Sequence, residues 1–140
     1  MVYISRKEHF NAAHRVYNPG WSDERNQEVF GPCANPYYHG HNFELIVTVK
    51  GKPDPETGFV VDMKQLGDLV KREIVDKVDH RNLNIEVSFL QGKIPTCEVM
   101  IMAFWEILAP QVNALTSGRS VLHSLRLIET PKNFVDYFGE

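Results

Sequence analysis

Alternating apolar and polar positions predict two long β-strands in the first part of the chain. Residues 2–17 place apolar side chains and one histidine on even positions, with two charged residues between them: Ile4, Arg6, Glu8, Phe10, Ala12 and His14. Residues 39–50 repeat the pattern on odd positions: His39, His41, Phe43, Leu45, Val47 and Val49. Because side chains two apart on a strand point to the same face, each strand is predicted to bury one face.

The segment between these strands, residues 18–38, is rich in Asn, Pro, Gly and charge and is predicted to be a long loop. A loop of this length inside a compact domain usually has a function. Residues 52–58 contain two prolines and a glycine and predict a turn after the second strand.

Apolar residues at helical spacing predict two helices in the middle of the chain. Asp62 is suited to cap the first helix, with Gln65 three residues later as in a capping box. Its apolar positions are Leu66, Leu69, Val70, Ile74 and Val78. Thr96 is suited to cap the second helix, and Pro110 predicts a kink or an end within it. The apolar face of this helix comprises Met100, Ile101, Phe104, Ile107, Leu108 and Val112.

The last part of the chain predicts two further strands. Residues 120–130 alternate, and the face expected to be buried carries Val121, His123, Leu125, Leu127 and Glu129. Residues 131–133 predict a turn, and residues 134–138 a short closing strand. The order of elements is therefore ββααββ, which predicts an α+β fold with an antiparallel sheet and both helices on one side.

Composition narrows the class of protein. The chain has 140 residues, 43% hydrophobic and 24% charged, which is typical of one domain spanning residues 1–140. The formal net charge is −3, so no broad basic surface for nucleic acid is expected. The apolar runs are too short to span a bilayer and the first residues lack the apolar core of a signal peptide, so we expect a cytoplasmic protein. Its two cysteines are not expected to form a disulfide there.

Three of the six histidines follow a pattern that suits a transition metal. His39 and His41 share one face of a strand, and Gly40 between them leaves room for close approach. His14, on the neighbouring strand of a predicted hairpin, offers a third imidazole. Three neutral imidazoles with one open position are the ligand set of a catalytic zinc site. The same spacing also fits a structural pair of histidines beside a core histidine with one backbone hydrogen bond.

Cys33 and the pair Asp79 and His80 are candidates for proton transfer. Cys33 lies in the predicted loop and fits a small buried side chain, a thiolate near a metal, or a fourth ligand of a closed structural zinc site. Asp79 and His80 end the first predicted helix. A carboxylate that orients an imidazole is half of a base system, but the pair also fits polar surface after a helix.

Glu129 shares its predicted strand face with Leu125 and Leu127. A carboxylate on an apolar face is costly unless it is paired, which favours a recognition site for a ring with two adjacent N–H donors. A residue at the strand end that reaches solvent is the alternative. Cys97 and Glu98 open a helix and, together with Thr96, could hold a ligand by side chain and backbone N–H.

In their order along the chain, these residues resemble the 6-pyruvoyl-tetrahydropterin synthase family, which includes the 6-carboxy-tetrahydropterin synthases. The resemblance covers nearly the whole chain. It is carried by Phe10-Asn-Ala-Ala-His14-Arg15, Cys33-x5-His39-Gly40-His41-Asn42, Asp54-Pro-x-Thr-Gly58, Val78-Asp79-His80-Arg-Asn82-Leu83-Asn84, Pro95-Thr96-x-Glu98, Glu129-Thr130 and Gly139-Glu140. Each motif is common by chance, but the ordered set is specific.

The resemblance implies the tunnelling fold, in which ββααββ subunits close a trimeric barrel and two trimers stack into a hexamer. It implies active sites between subunits and 7,8-dihydroneopterin triphosphate as the substrate. It further implies that His14, His39 and His41 bind zinc and that Cys33 accepts the C1′ proton of the substrate side chain.

For the remaining candidates the resemblance implies roles around the pterin. Asp79 and His80 would form a proton relay. Glu129 would accept hydrogen bonds from the 2-amino and N3 groups and is also a candidate for the relay. Thr96 and Glu98 would line the pterin pocket.

Two departures bear on the product. The stretch Pro95-Thr96-Cys97-Glu98-Val99 is similar to the Pro-Thr-Ser-Glu-Val of the 6-carboxy enzymes, whereas the spacing Cys33-x5-His39 and the long segment from Trp21 to Phe30 are similar to the animal 6-pyruvoyl enzymes. We expect the 6-pyruvoyl product, since the loop carrying the candidate base is of that type. The alternatives are the 6-carboxy enzyme of queuosine biosynthesis and a non-catalytic pterin-binding module with a structural zinc.

Overall fold

A computed structural model describes all 140 residues and places five strands in one sheet. In chain order the strands are β1 (Val2–His14), β2 (His39–Gly51), β3 (Arg81–Asn82), β4 (Ser120–Thr130) and β5 (Asn133–Tyr137). Their order across the sheet is β3-β1-β2-β4-β5, and every pair is antiparallel except β1 with β3. The predicted long strands are confirmed, and so is the α+β class.

Helices cover one face of this sheet and bury a single apolar cluster beneath them. This cluster lies under α2 (Met63–Val70, continued by a π-helical segment Lys71–Val75 and a last turn Asp76–Val78) and α3 (Cys97–Leu115). A further helix, α1 (Asp23–Phe30), contributes no residue to it. Both predicted caps are present: the Asp62 carboxylate accepts from two backbone N–H groups of α2, and the Thr96 hydroxyl accepts from the N–H of Val99. None of these helices combines the length and the apolar character needed to cross a bilayer.

The long segment before β2 was predicted to be a loop, and this is wrong for its middle part. Residues 23–30 form α1, and a turn of 3-10 helix follows at Gly31–Ala34. The hydroxyl of Ser22 caps α1 by accepting from the backbone N–H of Arg25. The one buried residue of α1 is Asn26, which is polar. The helix therefore buries no apolar face, and the sequence pattern did not reveal it.

Asn26 ties this segment together from the inside. Its side-chain oxygen accepts from the N–H of Asn18 at 2.7 Å, and its amide donates to the carbonyls of Asn18, Ser22 and Trp21. Asn26→Ala is expected to lower the free energy of unfolding by about 2 kcal/mol, since it leaves several of these groups without a partner. Urea denaturation measures the loss. Gln27→Ala, an exposed change in the same helix, should cost far less, and equal losses would contradict the assignment.

A β-bulge in β4 corrects the predicted buried face of this strand. Thr48 pairs with Ser124 but Val49 pairs with Leu122, so His123 is an extra residue that shifts the alternation by one. Leu125, Leu127 and Glu129 stay on the predicted face. Before the bulge, Leu122 is buried whereas Val121 is exposed, contrary to the prediction.

Pro110 does not end α3, which continues to Leu115. Proline has no backbone N–H to donate within the helix. In the turn that precedes Pro110, the side-chain amide of Gln111 donates to the carbonyl of Ile107. Val112, beyond the proline, is fully buried. We infer that burial of this last turn offsets the cost of the proline.

Candidate active site

The register of β1 and β2 brings three histidines together on the helix-covered face of the sheet. His14 lies directly opposite His39, and His41 lies opposite Ala12, two residues along β1. One ligand atom from each imidazole lies within 4.8 Å of the other two. Ring centroids are separated by 4.5 Å for His14 and His39, and by 4.9 Å for His39 and His41.

The nitrogens of this cluster are arranged as metal ligands. Nε2 of His14, Nδ1 of His39 and Nε2 of His41 are buried and have no hydrogen-bond partner, which is costly unless something binds them. The other ring nitrogen of His14, Nδ1, lies 2.9 Å from the carbonyl oxygen of Pro95. Donation to that carbonyl leaves Nε2 with a free lone pair, as in histidines that bind metals.

Burial also favours the neutral form of two of these imidazoles. It lowers the pKa of His14 and of His39 below the ordinary value, and the neighbouring imidazoles add to this effect. The neutral form is the one that binds a metal. The residues present could therefore hold a metal ion, and three imidazoles are a donor set that suits zinc.

Glu129 lies beside this cluster near the end of β4. Its two carboxylate oxygens are 3.8 Å from Nε2 of His14 and 3.9 Å from Nε2 of His41, beyond hydrogen-bond distance. Its side chain is 23% exposed, so it is neither a core residue nor free in solvent. A carboxylate placed in this way can bind a ligand that also reaches the histidine cluster.

Two adjoining cavities meet at Cys33 and Glu129, which line both of them. One has a volume of about 600 Å³ and includes Thr96, Cys97, Glu98, Lys132 and Phe134 in its wall. The other, about 410 Å³, includes His39, His41 and Tyr38. Both volumes lie within the range of small-molecule sites. The structure thus brings together the three histidines, Cys33, Glu129, Thr96 and Glu98.

Cys33 occupies the 3-10 turn after α1, and backbone contacts hold this turn against the end of β1. The N–H of Val16 donates to the carbonyl of Cys33 at 2.8 Å, and Nε of Arg15 donates to the carbonyl of Ala34 at 2.8 Å. The thiol is exposed and is not among the residues of the metal cluster. This placement suits a proton acceptor better than a fourth ligand.

Asp79 and His80 form a pair, but they line neither of the two cavities that contain Cys33. The Asp79 carboxylate accepts from the N–H of Asn11 at 2.9 Å and lies 2.9 Å from Nδ1 of His80. His80 adopts a positive φ of 58°, which lets two adjacent side chains meet. The hydrogen bond from Asn11 and the proximity of His80 lower the pKa of Asp79. The pair lies at the outer edge of β1, and the imidazole is 81% exposed.

Sequence reasoning missed the contact between Cys97 and Glu129. The thiol of Cys97 donates to Oε2 of Glu129 at 3.2 Å. The position of Cys97 immediately after a helix cap was the available signal, but spacing alone does not reveal a contact between residues 32 apart. Sequence reasoning also missed Lys132 and Asn133, which line the larger of the two cavities.

Comparison with known proteins supports a common family. A sequence profile described as 6-pyruvoyl tetrahydropterin synthase matches residues 3–140. The chain is 39% identical over 138 residues to 6-pyruvoyl tetrahydrobiopterin synthase of Poecilia reticulata, covering 99% of this chain and 90% of that protein. It is 25% identical over 152 residues to 6-carboxy-5,6,7,8-tetrahydropterin synthase of Rickettsia bellii, covering 97% and 99%.

A solved structure agrees with these sequence matches. The 6-pyruvoyl tetrahydropterin synthase of Caenorhabditis elegans superposes with a TM-score of 0.88 at 37% identity and covers 99% of this chain and 96% of that one. The tunnelling fold implied by the sequence motifs is therefore confirmed for the subunit.

Proposed function

The chain belongs to the 6-pyruvoyl tetrahydropterin synthase family, and on this basis we propose that it converts 7,8-dihydroneopterin triphosphate to 6-pyruvoyl-tetrahydropterin in a zinc-dependent reaction that eliminates triphosphate. Membership makes it a pterin synthase, that is, a lyase acting on a pterin phosphate. One observation carries the finer proposal: an exposed thiol and a carboxylate line two adjoining cavities, and two histidines of a cluster with three unpartnered nitrogens line one of them.

His14, His39 and His41 are the proposed zinc ligands. Zinc held by these three residues would supply Lewis acidity to the hydroxyl groups of the substrate side chain, and the neighbouring C–H and O–H groups would become more acidic. The chain contributes the geometry: paired strands fix the three rings, and the Pro95 carbonyl fixes the tautomer of His14.

Cys33 is the proposed proton acceptor, which takes the C1′ proton and starts the tautomerisation of the side chain. Its turn is held by Arg15 and Val16, so the thiol faces the cavity from a fixed backbone. Glu129 is proposed to bind the 2-amino and N3 groups of the pterin through both carboxylate oxygens, a charge-assisted contact. Thr96 and Glu98 line the same cavity and are proposed to contact the ring.

Asp79 and His80 are proposed to act in a proton relay that is completed by a second subunit. Within one chain they lie at the edge of β1, away from the cavities of Cys33. This edge is largely open, because β3 pairs with it only at Ala12 and Ala13. Closure of the sheet with neighbouring subunits would cover the open edges and place active sites between subunits.

The proposed assembly is a hexamer made of two trimers. Light scattering on the purified protein is expected to give a native mass six times the 16.1 kDa of the chain. A monomeric mass at concentrations where the protein is active would contradict the relay between subunits.

Triphosphate release tests the lyase assignment and its metal dependence together. Protein stripped with a chelator is expected to release no triphosphate from 7,8-dihydroneopterin triphosphate, and zinc should restore release. Equal release by stripped and restored protein would contradict a catalytic zinc. Absence of release from both would favour a non-catalytic pterin-binding module.

The 6-carboxy product is the second candidate, and the sequence Pro95–Val99 favours it. The comparisons support the 6-pyruvoyl product, since identity is 39% to a 6-pyruvoyl enzyme and 25% to a 6-carboxy enzyme. The 6-carboxy reaction also releases triphosphate, so acetaldehyde is the product that separates the two.

A further inference from the structure

Cys97 is the first residue of α3, and its thiol makes the one hydrogen bond that the Glu129 side chain has in this structure. We propose that Cys97 is a positioning residue, whose S–H donates to Oε2 of Glu129 and holds the carboxylate in the orientation that binds the pterin. This inference rests on the proposed function, because the ligand it assigns to Glu129 is the pterin.

Glu129 needs such a partner because little else fixes its carboxylate. The imidazole nitrogens beside it, Nε2 of His14 and Nε2 of His41, are 3.8 and 3.9 Å away and make no hydrogen bond with it. Ordering a glutamate side chain lowers its conformational entropy, which opposes binding. A side chain that is already ordered loses less conformational entropy when the ligand binds. The contact with Cys97, at 3.2 Å, restricts the carboxylate before the ligand arrives.

The contact leaves the carboxylate able to bind a ligand through both oxygens. Each carboxylate oxygen accepts about two hydrogen bonds, so Oε2 can accept from Cys97 and from one N–H of the pterin together. Oε1 accepts nothing within the chain and is available for the second N–H. Both residues line the larger of the two cavities at Cys33.

The thiol remains a donor over the working pH range. Burial, together with the nearby carboxylates of Glu129 and Glu98, raises the pKa of Cys97 far above its ordinary value. The side chain is nearly buried, with 9% of its surface exposed. A neutral S–H group donates to the carboxylate, whereas a thiolate would repel it.

Infrared spectroscopy tests the contact without any ligand. In a Cys33→Ser background only Cys97 contributes an S–H stretching band, because the chain has two cysteines. The band is expected at the lower frequency of a hydrogen-bonded thiol and should shift upward when Glu129→Ala is added. A band that does not respond to Glu129→Ala would overturn the proposal.

Pterin binding tests the consequence through a double-mutant cycle. Affinity for 7,8-dihydroneopterin, which lacks the triphosphate, is measured by fluorescence for proteins with equal melting temperatures. Cys97→Ala is expected to weaken binding by about three- to tenfold, the worth of one hydrogen bond. Cys97→Ser, which keeps a donor, should restore most of the affinity. Cys97→Ala should have no further effect when Glu129→Ala has already removed the acceptor.

The outcomes separate this inference from the proposed function. If the wild-type chain binds the pterin but Cys97→Ala binds equally well, the positioning role is wrong and the proposed function stands. The same conclusion follows if Cys97→Ala weakens binding by the same factor in a Glu129→Ala background. If the wild-type chain binds no pterin, the proposed function and this inference both fall.

Discussion

Cys33→Ala is expected to lower kcat for triphosphate release by about 10²- to 10⁴-fold, the usual contribution of a positioned base. The zinc content should stay unchanged, because Cys33 is exposed and lies outside the histidine cluster. The KM for substrate should change much less than kcat, since the thiol acts on the reacting C–H group. Steady-state kinetics and metal analysis of the same preparation measure all three quantities.

Val29→Ala is a suitable control for this substitution, because it removes an exposed side chain of α1 without touching the cavities. It should retain wild-type turnover. If Cys33→Ala instead loses zinc and stability along with turnover, Cys33 is a metal ligand and the site is a closed structural one. That result would favour the non-catalytic binding module.

His41→Ala is expected to abolish turnover by removing one of three metal ligands. Removing a residue that is hydrogen-bonded to a metal ligand typically weakens metal affinity by about 10- to 100-fold. Removing the ligand itself should weaken metal affinity further. His41 is the best position for this test because its side chain is 21% exposed at a cavity wall. His14 is 1% exposed, so its replacement would also disturb the core.

Competition with a zinc-binding dye measures this affinity directly. His9→Ala provides the matched control, since His9 lies on the same sheet but on the exposed face of β1. It should bind zinc as the wild type does. Equal zinc affinity of His41→Ala and the wild type would contradict the assigned ligand set.

The metal site could be predicted from the sequence because it depends on strand periodicity. Alternation placed His39 and His41 on one face, and the hairpin register then placed His14 opposite His39. Alternation predicted the wrong face for the start of β4, because the extra residue of the bulge, His123, cannot be recognised from the sequence of hydrophobic and polar residues. Periodicity failed differently in α1, whose one buried residue is polar.

The surroundings of Glu129 depend on contacts between residues far apart in sequence, and spacing does not encode these. The hydrogen bond from Cys97 joins the start of α3 to the end of β4. The carbonyl of Pro95, which orients His14, is 81 residues away from it. The family resemblance implies a proton relay for Asp79 and His80. Because the pair lies at a sheet edge, the relay is a proposal about neighbouring subunits.

These residues are proposed to form a metal-dependent lyase that makes 6-pyruvoyl-tetrahydropterin. The most direct test is anaerobic incubation of the zinc-loaded protein with 7,8-dihydroneopterin triphosphate and identification of every product by mass spectrometry. We predict 6-pyruvoyl-tetrahydropterin and triphosphate, without acetaldehyde. Formation of 6-carboxy-tetrahydropterin with acetaldehyde would contradict the claim.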